Sequence, residues 1–266
     1  MSAVLIGSLA CSLYLLSAAI QFVGLEREIK SRQIIVRSIA ILAIGLHSFF
    51  NYQKIMTPEG VNVGLYPMLS LISLAVTSLV LFSSLRRTVD NLLIAILPLA
   101  AFAIALALLS EGNYAPRNDL SGGIIIHIIF SVIAYGILTI AVIQAGLLSL
   151  GDYELKRHNM AVLRHIPPLQ TMDTLLFELL WAGLILLSLS IASGFMFLND
   201  IARPGLLHHT AITLSAWVVF AILLWGRYKL GWRGSIASRW TLIGFMLLVL
   251  GYFGSKLVLE VLLGRT

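Results

Sequence analysis

Stretches of about twenty apolar residues recur along the chain, separated by short polar links. Runs near 3–23, 35–51, 65–85, 92–110, 124–149, 175–198, 210–226 and 241–263 each have the length a helix needs to cross a hydrocarbon core of roughly 30 Å. The pattern predicts an all-α polytopic membrane bundle of about eight transmembrane helices. No link is long enough to separate two soluble domains, and no internal repeat or low-complexity stretch stands out. Residues 1–266 are therefore expected to form a single integral membrane domain. The longest link, 150–174, carries Asp152, Glu154, Lys156, Arg157, His158, Arg164 and His165 ahead of Pro167-Pro168. Its mixed charge predicts a short interfacial helix stopped by the prolines.

Composition agrees with the pattern: 59% of residues are hydrophobic and only 11% charged, with a mean hydropathy of +0.97. Soluble domains of this length do not have that balance. The basic residues alternate between links. Arg27, Lys30, Arg32 and Arg37 surround the first, Arg86 and Arg87 the third, Lys156, Arg157 and Arg164 the fifth, and Arg227, Lys229, Arg233 and Arg239 the seventh. By the positive-inside rule these links are cytoplasmic, which puts both termini on the periplasmic or outer side of a bacterial inner membrane. The net charge of +6 is then topological, and nothing in the chain resembles a nucleic-acid module. The first segment follows Met-Ser-Ala-Val without a basic region or a closing small-residue cleavage site, so it is read as a retained helix. The single cysteine, Cys11, has no second thiol to pair with, which excludes an intramolecular disulfide and any CxxC chemistry.

With that orientation, His158 and His165 fall on the inner side and four histidines fall at outer helix ends: His47, His127, His208 and His209. His47 shares a helix face with Ala40, Ala43 and Asn51, His127 with Ser131 and Ala134, and His209 with Thr213 and Ala216. Each imidazole tops a stripe of small or polar residues, the kind of face that turns toward other helices. Adjacent residues on a helix point about 100° apart, so only one of His208 and His209 is expected to enter the bundle, and the stripe favours His209. Neutral imidazole is a good ligand for iron, zinc or copper. The plainer reading is an interfacial histidine bonded to headgroups or water.

The remaining polar groups suggest little chemistry. Lys256 and Glu260 are spaced to pair with each other or to snorkel outward, with contact to a propionate or a cation as the alternative. Gln144 and Glu178 read as interfacial. Gly244, Gly251 and Ser255 mark a close-packing face in the last span. There is no Ser/His/Asp arrangement, phosphate-cradling glycine loop or HExxH, so hydrolase or ATPase activity has no support. A secondary transporter would show paired charges near mid-membrane or broken helices in matching halves, and neither is evident.

Ala216-Trp217, Trp225-Gly226-Arg227, Gly231-Trp232-Arg233-Gly234 and Tyr252-Phe253-Gly254, in that order, resemble the cytochrome c assembly protein family. These are membrane haem handlers of the CcsA and CcmC type, and the resemblance is to their YpjD-like inner-membrane branch. It extends through His127 with Ser131 and Ala134-Tyr135 and is specific over about 120–256, with Gly64-Leu65-Tyr66 only suggestive before that. The family implies an outward-facing haem site in which a tryptophan-rich loop holds the porphyrin and flanking histidines ligate iron for delivery to apocytochrome c. His127 matches the first flanking histidine. The link 198–209 has no tryptophan, His209 falls roughly where the family has a lysine, Leu262-Leu263-Gly264 replaces the second flanking histidine, and Trp225 replaces a further one. The resemblance thus implies haem b held by His127 with His47 or His208/His209, in a carrier, chaperone or assembly accessory rather than a classical catalyst. Its partners would be membrane lipid, haem and an apocytochrome or another assembly protein. The alternative is a protein that kept the fold without haem and serves divalent-metal transport as an accessory or regulator.

Overall fold

The computed structural model describes residues 2–26, 32–85, 90–109, 121–158, 166–197 and 204–258. Among these are eight helices: α1 (Ala3–Glu26), α2 (Arg32–Ile55), α3 (Leu65–Ser84), α4 (Asp90–Leu109), α5 (Gly122–Lys156), α6 (Leu169–Phe197), α7 (Pro204–Leu230) and α8 (Gly234–Val249). A π turn over Leu250–Gly254 continues α8. All eight are long and apolar enough to span a membrane. In hydrocarbon only such self-satisfied helices, or closed barrels, can bury the backbone, so the apolar runs become helices with little choice.

The chain forms two compact units, one holding α1–α4 and the other α5–α8. In the first, α1 packs on α2 and α4, and α3 packs on α2 and α4. In the second, α5 packs on α6 and α8, and α7 packs on α6 and α8. Each unit is therefore a ring of four helices in which chain neighbours are spatial neighbours, as short links dictate. Outside and inside are both apolar, so helix association rests on close fit rather than hydrophobic segregation. Small residues provide that fit: a Cβ on Gly183 would stand 2.5 Å from Leu138, and one on Gly244 2.9 Å from Phe220. Gly244 and Gly251 both face α7, the latter against Ile212 and Thr213.

Between α2 and α3 the backbone makes a two-residue hairpin, β1 (Met56–Thr57) against β2 (Gly60–Val61), antiparallel with Met56 opposite Val61. Apolar periodicity gave no sign of it.

The short interfacial helix expected in the link 150–174 falls largely on residues 159–165, which lie outside the described residues. No separate interfacial helix occupies its described residues; α5 continues without a break to Lys156, where Lys156 pairs with Asp152 one turn back at 2.8 Å. Its 35 residues extend about 52 Å at the usual rise, well beyond the roughly 30 Å of a hydrocarbon core. Pro168 stands at the start of α6, where its carbonyl accepts the Met172 N–H. Arg164 and His165 lie outside the described residues, as do Arg27, Lys30, Arg86, Arg87 and Glu260. Gln144 is buried between helices and donates to Met172 O at 3.0 Å, tying α5 to α6.

The Trp-Gly-Arg and Gly-Trp-Arg-Gly motifs build a clamp at the inner end of the second unit. Arg227 pairs with the buried Asp173 at 2.8 Å, donates to Trp232 O at 3.0 Å and lies over the Phe177 ring at 4.3 Å. Asp173 also accepts the Gly234 N–H at 3.2 Å. Gly231 and Gly234 hold positive φ of 67° and 53°, which suits residues without a Cβ. Gly226 leaves room for Trp232, whose ring stacks on Trp240 with centroids 5.3 Å apart.

Candidate functional site

α5 starts where Ser121 caps the N–H of Ile124, which brings His127 into the second turn. Its Nδ1 lies 2.8 Å from the carbonyl oxygen of Ser190 on α6 and 3.3 Å from Ser193 Oγ. A carbonyl only accepts, so Nδ1 carries the proton and Nε2 keeps its lone pair. Ser131, one turn inward, donates to His127 O and meets Ser190 Oγ at 2.7 Å, locking the same helix pair. Among the described residues Nε2 makes no hydrogen bond.

On α7 the two adjacent histidines separate: His208 is exposed and His209 half-buried. The His209 ring sits edge-on to Tyr252, centroids 5.9 Å apart, and among the described residues its nitrogens make no hydrogen bond. The structure therefore places His127 and His209 in the same unit, on helices that are not neighbours in sequence.

The π turn supplies the wall beside them. It presents Tyr252 to His209, to Tyr135 at 6.0 Å and to Phe253 at 5.1 Å, and Lys256 Nζ lies 5.6 Å from the Tyr252 centroid. Tyr135 donates to Leu248 O at 2.8 Å, satisfying a carbonyl at the point where the helical ladder changes pitch. π turns inside helices frequently mark functional sites.

Thr213, one turn inward of His209, is buried and its hydroxyl has no partner among the described residues. Elsewhere helical hydroxyls bond back to the carbonyl four residues earlier, as Ser131, Thr139, Ser215 and Thr241 do. Thr213 instead directs Oγ1 toward Gly251, where a Cβ would stand 3.3 Å away.

His47 belongs to the first unit and is fully buried there. Its Nε2 lies 2.9 Å from Ser70 Oγ, which itself donates to Asn51 Oδ1 at 2.7 Å, so Nε2 is the donor. Nδ1 then accepts from Tyr14 OH at 3.3 Å. Both nitrogens are occupied by protein.

Ser190, Ser193, Tyr14 and Ser70 escaped the sequence reading because they join the histidines from other helices. Tyr252 was visible as part of a motif, but its contact with His209 depends on the π turn.

These features define a polytopic helical membrane protein whose second unit holds His127 and His209 with ring nitrogens that no described residue uses. Residues 4–263 match the family model described as Cytochrome C assembly protein. The chain belongs to that family, and it is a multi-pass protein of the inner membrane. It is 28% identical over 225 residues to the inner membrane protein YpjD of Escherichia coli K12, covering 84% of this chain and 86% of that one. An uncharacterized 28.8 kDa protein of Azospirillum brasilense is 32% identical over 192 residues, covering 68% and 69%. Protein HemX of Brevibacillus brevis is 24% identical over 131 residues, 48% of each chain. No solved structure matches.

Proposed function

We propose that the protein handles haem in cytochrome c-type biogenesis, holding haem b near the outer face of the membrane through His127 and His209. One observation carries this reading: two imidazoles of the second unit, from α5 and α7, keep nitrogens that no described residue uses. Polar groups left unpaired in such surroundings are costly, and a ligand that takes them up recovers the cost. The residues fit haem in kind. His127 has its ring fixed by Ser190 O with Nε2 as the lone-pair nitrogen, the second-shell pattern of metal-binding histidine. Tyr135, Tyr252 and Phe253 offer aromatic surface to a flat apolar ring. Haem, when bound, supplies an iron that accepts imidazole nitrogen as an axial ligand.

His47 is left out of this pair because Tyr14 and Ser70 hold both its nitrogens. His208, exposed, is left out as well. The role is that of a carrier or assembly accessory with an apocytochrome or another assembly protein as partner.

A second reading has its own observation: the outer link 198–209 contains no tryptophan. On that reading the same two imidazoles bind a divalent transition metal in an accessory of metal transport. An absorption spectrum, a pyridine haemochrome assay and metal analysis on gently purified protein separate the two. Stoichiometric haem that disappears in His127→Ala and His209→Ala supports haem handling. Colourless protein from haem-replete cells carrying zinc, copper or nickel supports the second reading, and colourless, metal-free protein rejects both.

A further inference from the structure

The α7–α8 hairpin carries cations that the protein does not neutralise. From Trp225 to Thr241 the sequence holds Arg227, Lys229, Arg233 and Arg239 and no acidic residue. Asp173 reaches this hairpin from α6, but it is committed to Arg227 and the Gly234 N–H. Lys229, Arg233 and Arg239 are exposed, and none makes an ion pair or hydrogen bond with a described residue. Lys229 only overlies the ring of its neighbour Tyr228, at 5.1 Å.

Arg239 occupies the most demanding place. It lies inside the candidate membrane span Gly234–Gly254, on an exposed stripe with Ile236, Leu242 and Ile243. A guanidinium there has to extend back to the headgroup layer and find an anion. Its planar fork matches phosphate oxygens in pairs.

The hairpin is also stiff. Two glycines with positive φ set its turn, and the Asp173–Arg227 pair fastens it to α6. The stacked Trp232 and Trp240 rings, only 25° from parallel, stand beside the cations. Indoles of this kind favour the headgroup level of a bilayer.

We infer that this hairpin binds an anionic phospholipid of the inner leaflet. Lys229, Arg233 and Arg239 take the phosphate-bearing headgroup, and the indole stack lies along the glycerol and upper acyl region. Charge decides the lipid class: the cluster attracts a net anion and repels the ammonium of a zwitterionic headgroup. The site is independent of His127 and His209.

The test is native mass spectrometry of delipidated full-length protein with phosphatidylglycerol or phosphatidylcholine of the same acyl chains, and with millimolar inorganic phosphate as competitor. Phosphatidylglycerol is expected to stay bound under activation that strips phosphatidylcholine, and inorganic phosphate is expected not to displace it. The combined Lys229→Gln, Arg233→Gln, Arg239→Gln variant should weaken phosphatidylglycerol binding by about tenfold or more, given the usual contribution of each surface cation. Arg239→Gln alone, which leaves the Arg227 clamp intact, should produce part of that loss, and Arg157→Gln none. Equal retention of the two lipids, an unchanged combined variant, displacement by phosphate, or an equal loss in Arg157→Gln would each overturn the inference.

Discussion

His127 Nδ1 stands 2.8 Å from the carbonyl oxygen of Ser190. Because that acceptor is backbone, no side-chain substitution removes it, and the orientation of the imidazole is written into the packing of α5 on α6. Ser193 Oγ, at 3.3 Å, is the weaker neighbour. Ser193→Ala is therefore expected to leave the haem absorbance close to that of the unmodified protein, while His127→Ala abolishes it. A spectrum of Ser193→Ala as weak as that of His127→Ala would show that the hydroxyl, not the carbonyl, sets the ring.

His47 makes the opposite prediction. It joins Tyr14, Ser70 and Asn51 in the buried interior of the first unit, so its removal leaves the Tyr14 hydroxyl without a partner and Ser70 Oγ with Asn51 alone. His47→Ala should lower stability by about 2–4 kcal/mol, combining an unsatisfied hydroxyl and a cavity, and should leave any absorbance per folded molecule unchanged. Thermal unfolding in detergent, read beside the Soret band, separates the two effects.

The Asp173–Arg227 pair should be intolerant of one-sided change. Arg227→Ala leaves a carboxylate that is 8% exposed with only the Gly234 N–H to satisfy it. A loss of about 3–5 kcal/mol is expected for breaking a buried pair this way. Replacing both residues, as Asp173→Leu with Arg227→Met, should cost less than Arg227→Ala alone, and a double-mutant cycle by thermal unfolding measures the difference.

Thr213 offers a test in which a substitution improves the unliganded protein. Its hydroxyl is buried and unpartnered among the described residues, a state that typically costs about 1–3 kcal/mol. Thr213→Val keeps the shape and removes the hydroxyl. It should raise the melting temperature of ligand-free protein while lowering haem retention; a fall in stability without ligand would mean that the hydroxyl already has a partner in the bilayer.

The spans were legible because a membrane imposes one length and one polarity on every crossing. Runs such as 65–85 and 92–110 closely match α3 and α4. The inner end of α5 was not legible, since Asp152, Glu154 and Lys156 look like a link until the Lys156–Asp152 pair shows them to be helix. Histidine faces could be read from spacing: Ala40, Ala43, His47 and Asn51 are all buried, as are Ala134, Thr213 and Ala216. The partners could not. Spacing reports which side of its own helix a residue occupies, while Tyr14, Ser70 and Ser190 arrive from other helices whose rotation no single-helix pattern contains.

A π turn is an α-helix into which one extra residue has been fitted. Across Leu250–Gly254 the last span therefore changes phase: its inner half is set by Gly244 against Phe220, and its outer half by Tyr252 against His209. Both contacts are with α7, so one helix meets a single neighbour with two different rotations. Deleting a single residue within the turn would swing Ser255 and Lys256 by about 100° while leaving the Gly244 contact in place. Chain length at this one point, and not only side-chain identity, selects which residues meet the imidazoles, so a one-residue gap here between relatives would retune the candidate site more than many substitutions.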